Sequence, residues 1–277
     1  MVDRWRLLDA AHRALELAGA DGKNLEPASS GKKGLVFLAD SVVVRLYTNP
    51  LYYLRRRLVD ARLLRLGIPL SPEVVATGCF FFKRPLWFVV EERLQQPGAL
   101  SPDQKLDFVK RLGLLHAETS VKVGAGFIWR KWAKKTDANA KFLLNNTTLE
   151  FSKTLAGMWT DLRARGVTPS SVSLCHRDVG LSNMGLKGER LLLIDWDRAS
   201  LFFPLYELIQ ACYFLDLDPV DALCACGIPV CRNELALMLV SFCISRAKKE
   251  YKRGSVSERL GRFVKWAERI FSEGYQR

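Results

Sequence analysis

His176-Arg177-Asp178-Val179-Gly180-Leu181-Ser182-Asn183, followed by Leu191-Leu192-Leu193-Ile194-Asp195-Trp196-Asp197, is the stretch from which the rest of the chain is read. An apolar run, Val172–Cys175, precedes it, and Lys187-Gly188-Glu189 forms a turn between its two parts. The pattern predicts two strands that present Asp178, Asn183, Asp195 and Asp197 at their ends. Asp and Asn also serve as turn and cap residues, and a single D-x-x-x-x-N would carry no more than that. Here order, spacing and strand context coincide. Carboxylates and an amide oxygen are hard donors of the kind that hold Mg²⁺ together with substrate phosphates. A carboxylate beside the metal can orient a hydroxyl and accept its proton. The segment points to metal-assisted phosphoryl transfer.

Outward from this stretch the chain changes character once. Leu35–Leu38 and Val42–Tyr47 are β-branched and aromatic runs around Ala39-Asp40-Ser41, a predicted hairpin turn. Leu51–Leu66 has helical periodicity and stops at Gly67, with Pro69 and Pro72 beyond. Val74–Thr77, Phe80–Phe82 and Leu86–Glu91 read as further strands. Ser101-Pro102-Asp103 then opens a helix predicted to reach His116. Lys141–Arg165 is predicted helical, and so is the chain from Leu205 onward, with breaks at Gly227 and Pro229. The expectation is an α+β, bilobal chain. A small antiparallel sheet lobe spans 1–94, and a mostly helical lobe spans 95–277.

The chain has 277 residues, 42 of them Lys or Arg and 29 Asp or Glu, giving a net charge of +13. With 49% hydrophobic residues it is a folded chain with a sizeable core and not a disordered tail. The charge implies acidic company: nucleotide, nucleic acid, phosphorylated sugar or an anionic surface. The basic residues form no recognisable DNA- or RNA-binding motif, so nucleic acid is not the expected partner. Asp3, Arg4, Arg6, Asp9, His12, Arg13 and Glu16 interrupt the first twenty residues, which read as an amphipathic helix and not a signal segment. No run suits a membrane span. Seven Cys without a secretory signal imply free thiols and a cytoplasmic setting. Cys224, Cys226 and Cys231 lack zinc spacing and are expected to be small buried core residues.

His176–Asn183 with Ile194–Asp197 resembles the catalytic core of the aminoglycoside phosphotransferase / choline kinase family, within the protein-kinase-like fold. That family shows H-x-D-x-x-x-x-N followed by I-D-[WF]-[DE]. The resemblance extends more weakly over about residues 25–215. It implies that Asp178 orients and deprotonates an acceptor hydroxyl, and that Asn183 and Asp195 hold Mg²⁺ against the nucleotide. It gives His176 a structural role in the catalytic loop. Asp197 matches an acidic position of the family whose role is open between metal contact and hydrogen bonding within the loop.

The resemblance also gives expectations upstream. Ser29-Ser30-Gly31-Lys32-Lys33-Gly34-Leu35-Val36 is similar to the family's phosphate loop, with Ser30, Gly31 and Gly34 at the nucleotide. Arg45 stands where the family usually has Lys for the α- and β-phosphates; the other reading is a solvent-facing edge-strand Arg. That cation normally pairs with a Glu on the next helix. Leu51–Leu66 has no Glu, so Asp60 is the candidate partner. Glu91 and Arg93 fall at the hinge, whose backbone would meet the adenine, flanked by Val43 and Val90. ATP and GTP are not separated by such recognition. His116 reads as packing or capping. Tyr206, Glu207, Tyr213, Asp216, Asp218 and Asp221 offer an acceptor surface for a cation. Trp129-Arg130-Lys131-Trp132 with Lys134 and Lys135, and the basic runs 246–253 and 259–269, offer one for an anionic or membrane-associated acceptor. The simpler reading of each basic run is a solvated helix face. Two functions follow. One is an ATP-dependent small-molecule hydroxyl phosphotransferase; the other is a kinase-like scaffold without efficient turnover.

Overall fold

The computed structural model describes residues 4–21, 24–28, 35–82, 84–147 and 149–273. In chain order the elements are α1 (Arg4–Leu17), β1 (Glu26–Pro27), β2 (Leu35–Leu38), β3 (Val42–Tyr47), α2 (Pro50–Leu66), β4 (Val74–Phe81) and β5 (Pro85–Glu92). Then follow α3 (Pro102–Glu118), α4 (Ala125–Asn146), α5 (Phe151–Ala164), β6 (Ser173–Cys175), β7 (Met184–Lys187), β8 (Arg190–Leu193) and β9 (Ser200–Phe202). The chain ends with α6 (Pro204–Leu215), α7 (Pro219–Ala225), α8 (Arg232–Tyr251) and α9 (Glu258–Glu273). They divide into two compact units. One is Met1–Leu100 with Ser182–Ala199; the other is Ser101–Leu181 with Ser200–Arg277.

The first unit is built on a five-stranded sheet in the order β1-β2-β3-β5-β4, antiparallel throughout. Alternation along β3 decides what each face meets. Val42, Val44 and Leu46 enter a core with Leu7, Ala10, Ala11, Ala14 and Leu15 of α1 and Phe88 and Val90 of β5. Val43, Arg45 and Tyr47 occupy the other face, where α2 lies. Covering both faces explains why β3 reads as one nearly continuous apolar run. The Asn49 side chain accepts the Leu51 N–H to start α2, and Gly67 ends it in the left-handed region (φ 64°). The β7–β8 hairpin belongs to this unit. Gln95 and Leu186 exchange backbone hydrogen bonds at 3.0 and 2.8 Å. A Cβ on Gly185 would stand 2.5 Å from that of Leu94, so only glycine permits this approach.

The second unit is helical around α8, which is buried from Glu234 to Ile244 and packs on α4, α5, α6 and α9. Ser101 and Gln104 form a reciprocal capping box at the start of α3. β6 and β9 pair antiparallel, Ser173 opposite Phe202. Part of the basic surplus is paired here: Arg246 with Glu250, Arg259 and Arg262 with Asp216, Arg269 with Asp218.

All seven cysteines are free, and the expectation for three of them is corrected: Cys224 and Cys231 are exposed and Cys226 is half-buried, not core. They sit at the end of α7 and in the connection to α8, where turns face solvent. Cys175, Cys212 and Cys243 are buried, and burial pushes their thiols well up. Brief iodoacetamide treatment of the folded protein is expected to label Cys224 and Cys231 and spare these three until denaturant is added. Peptide mapping reads the outcome, and equal labelling of Cys212 would contradict it. Among the described residues no helix is long and apolar enough to cross a membrane.

Candidate active site

The residues nominated from the sequence fall on both units. The first unit holds Arg45, Asp60, Glu91, Arg93, Asn183, Asp195 and Asp197; the second holds His176 and Asp178. Ser30, Gly31 and Gly34 lie outside the described residues.

On the first unit, β3 and β5 run antiparallel with Val43 opposite Glu91, which puts Arg45 and Glu91 on the α2 side of the sheet. Arg45 Nε donates to Glu91 Oε1 at 2.6 Å. Glu91 is 1% exposed, and its second oxygen lies 2.9 Å from Nη2 of Arg56, which is fully buried on α2. Arg56 Nε in turn donates to Asp60 Oδ2 at 3.1 Å, and its Nη2 to Ser71. Arg45 therefore pairs with a strand carboxylate, and Asp60 is the partner of Arg56 and not of Arg45. The helix contributes a cation where the family pattern has an acid. Burial opposes the charge on Arg45, but Glu91 more than offsets it, with Tyr47 and Asp195 adding to the effect, so the guanidinium stays firmly protonated. Burial likewise opposes ionisation of Glu91, yet Arg45 and Arg56 hold its carboxyl below the ordinary range. Asp60 shifts the other way, because burial outweighs its bond to Arg56.

Asn183 closes a turn of 3₁₀-helix at Leu181–Asn183, and its carbonyl accepts the Ile194 N–H at 2.9 Å. This tie fixes Asn183 beside the segment that carries Asp195. Asp195 has left-handed backbone (φ 63°, ψ 55°), unusual for a residue other than glycine or asparagine. Trp196 is fully buried and donates its Nε1–H to Leu193 O at 2.9 Å, so the turn is anchored from below. An amide oxygen and a carboxylate on such tied turns suit Mg²⁺, and the charge of Asp195 acts on Arg45. Asp197 is buried. Tyr47 donates its hydroxyl to Asp197 Oδ1 at 3.3 Å, and Arg55 donates to the Asp197 carbonyl at 3.0 Å. Burial and then Asp195 raise its carboxyl above the ordinary range.

The hinge region is more occupied than the sequence suggests. The Glu92 N–H goes to Glu73 O, the Arg93 N–H to Ser41 O, and the Arg93 guanidinium to Ala39 O. Val90 packs in the α1 core, on the opposite sheet face from Val43, so strand alternation keeps the two from flanking one ring. A cleft of about 890 Å³ in the same unit is lined by Arg57, Asp60, Ser71, Glu73, Lys187 and Arg190 among others. It contains none of Arg45, Glu91, Asn183 or Asp195.

On the second unit, β6 leads directly into His176-Arg177-Asp178. Glu207, on α6, braces this loop. Its carboxylate accepts the backbone N–H of His176 at 3.1 Å and of Arg177 at 2.6 Å, and Nε2–H of His116 at 2.9 Å. Burial works against this carboxylate, but the His116 bond leads the contacts that keep it ionised. Those bonds hold Arg177 in the left-handed region (φ 69°). The Asp178 N–H donates to Nδ1 of the buried His176 at 3.3 Å, and Gln210 donates to Val179 O at 2.7 Å. His116, Cys175 and Glu207 bring ligand-type atoms together. Glu207 already accepts three hydrogen bonds here, two of them from the loop backbone, so the cluster braces the loop.

Sequence reasoning missed two of these functions. Glu91 was assigned by its backbone, and its side chain proves to be the partner of Arg45. Glu207 is expected on an acceptor surface, and its carboxylate instead holds the backbone of the His176–Asp178 loop. An acid at the end of the apolar run Leu86–Val90, on the strand beside Arg45, was the available signal for the first.

A small antiparallel sheet with one crossing helix, a helical unit, and the two motif turns together define a kinase-like fold. The chain belongs to the phosphotransferase enzyme family, whose model matches residues 51–225. Among solved structures, a spectinomycin phosphotransferase in complex with ADP and spectinomycin is 15% identical, with 99% of this chain and 98% of that one covered and a TM-score of 0.60. A choline/ethanolamine kinase family protein from Mesorhizobium loti is 18% identical, with 96% and 92% covered and a TM-score of 0.55. The choline kinase LicA from Streptococcus pneumoniae is 14% identical, with 96% and 98% covered and a TM-score of 0.54. No curated protein sequence matches the chain.

Proposed function

We propose that this phosphotransferase moves the γ-phosphate of ATP to a hydroxyl of a small molecule. Arg45 binds the α- and β-phosphates, Asn183 and Asp195 hold Mg²⁺, and Asp178 accepts the hydroxyl proton. Magnesium, when bound, neutralises phosphate charge and holds the phosphates in place. The observation that carries the reading is the Arg45–Glu91 pair at 2.6 Å. A helix without Glu favoured a scaffold lacking turnover. Glu91 supplies the missing carboxylate from the strand, and that supports the enzyme.

The test is calorimetric titration of ATP with and without Mg²⁺, on the wild type and on Asp195→Asn. Asparagine tolerates the left-handed backbone of this position, so the substitution removes charge without adding strain. Mg²⁺ is expected to strengthen ATP binding to the wild type and to leave the variant unaffected. An identical Mg²⁺ response in both would remove Asp195 from the metal site, and absence of ATP binding under any metal condition would favour the scaffold.

A further inference from the structure

We infer that the acceptor carries an anionic group, received by Arg177, Lys135 and Lys248 over an aromatic floor beside Asp178. The inference rests on the phosphotransferase reading and names the substrate class of that same site.

Three observations within the second unit carry it. The first is the floor. Trp132 of α4 packs edge-on against Phe202 of β9 and Tyr206 of α6, both at 4.9 Å between ring centroids. The Arg177 guanidinium sits 4.3 Å above Phe202, and the Lys135 ammonium 4.8 Å above Trp132. Two cations thus stand over neighbouring rings, one of them adjacent in sequence to Asp178. Lys248 of α8 is close enough to act on Lys135, and its ammonium donates to Asn139 Oδ1 at 2.8 Å.

The second is the absence of counter-charge. Among the described residues, none of these three cations forms an ion pair with a carboxylate, whereas their neighbour Arg246 is paired with Glu250. Among the described residues, the Arg177 guanidinium hydrogen-bonds the hydroxyl of Ser200, at 3.2 Å. Burial, then Arg177 and Lys248, lower the basicity of Lys135, as expected for like charges gathered together. Arg177 and Lys135 are exposed, so a solute can reach them.

The third is the fate of the acids that would have favoured a cationic acceptor. Glu207 is spent on the loop that carries Asp178, Asp216 on Arg259 and Arg262, and Asp218 on the start of α7 and on Arg269, while Asp221 of α7 is exposed. The charged groups that stand over the Trp132 and Phe202 rings, Lys135 and Arg177, are both positive. An oxyanion of phosphate, sulfate or carboxylate type matches Arg177 by its paired donors and the lysines by charge.

The experiment uses the full chain loaded with Mg-ADP, titrated with sodium selenate and crystallised with it, so that selenium scattering places the anion. Selenate is expected within hydrogen-bonding reach of Arg177 and Lys135, and Lys135→Glu should weaken its binding by about tenfold or more. Lys135 is exposed, so the variant should fold. ADP release is then followed with a sugar, its phosphate ester, its uronic acid and its amine. The wild type should prefer the ester or the uronate, and Lys135→Glu should raise KM for that acceptor. Selenate seated elsewhere, selenate seen at crystal concentration only, unchanged affinity in Lys135→Glu, or a wild-type preference for the amine would each overturn the inference. Failure of Mg-ATP to bind overturns the phosphotransferase reading instead, and selenate titration of the chain without nucleotide then tests the anion site separately.

Discussion

Asp178→Asn is expected to lower phosphoryl transfer by about 10²–10⁴-fold, the usual contribution of a positioned general base. Asparagine keeps the size of the side chain and its ability to hydrogen-bond, so the loop should survive. Its backbone is held from outside the residue: the Asp178 N–H on His176, and the two preceding N–H groups on Glu207. What is lost is the capacity to take a proton. The proposed nucleotide residues Arg45, Asn183 and Asp195 belong to the other unit, so ATP affinity should change little. The measurement is kcat with an established acceptor, alongside ATP titration by calorimetry. Transfer at the wild-type rate would remove the base role from Asp178.

Glu91→Gln should have the largest effect on stability. The substitution leaves the fully buried Arg56 guanidinium and the partly buried Arg45 with no carboxylate between them. Breaking a buried ion pair from one side typically costs about 3–5 kcal/mol, because the remaining charge is neither solvated nor paired. Asp60 still contacts Arg56, which limits the loss. Arg45 is freed to swing, so ATP affinity should fall as well. The pH dependence follows from the direction of the shift. Glu91 has a lower pKa folded than unfolded, so its contribution is complete above the ordinary carboxylate range and disappears as pH falls through the folded value. Urea unfolding at neutral and acid pH should show the wild type losing more stability on acidification than Glu91→Gln. Equal losses would show that the pair contributes nothing net. Glu91→Asp should recover part of the ATP affinity, which a purely packing role would not predict.

The sheet and the first helices were readable because their signals are local. β-branched runs mark β2, β3 and β5, Gly67 marks the end of α2, and Ser101-Pro102 marks the start of α3. Errors arose where tertiary contact overrides the local signal. The sequence around Gly78 predicts two strands, yet β4 passes through it unbroken. A Cβ there would fall 2.6 Å from the Phe88 ring, so this glycine is a close approach and not a stop. Lys141–Arg165 has a helical pattern throughout, yet the helix divides at Thr147, whose hydroxyl donates to Leu143 O at the end of α4. The strands β7 and β9 are three or four residues long and exist through their partners, which leaves no periodicity to detect.

The site was legible to the same degree. Motif spacing named the groups for chemistry, since the chemistry limits which residue types serve. The supporting contacts were hidden, because Glu91 lies 46 residues from Arg45, and Glu207 30 from Arg177. Such pairings belong to sheet register and helix placement, and no local pattern announces them.

The first unit is discontinuous along the chain: Met1–Leu100 is completed by Ser182–Ala199, with Ser101–Leu181 between. For a polypeptide emerging from the ribosome, this order has a cost in time. Leu94 and Gln95 await Gly185 and Leu186, and the carbonyl of Leu70 awaits the Leu193 N–H. The nascent first unit therefore has its five-stranded sheet but lacks the β7–β8 hairpin while α3, α4 and α5 are synthesised. A stalled chain ending near Leu100 should be protease-sensitive where one ending beyond Ala199 is protected.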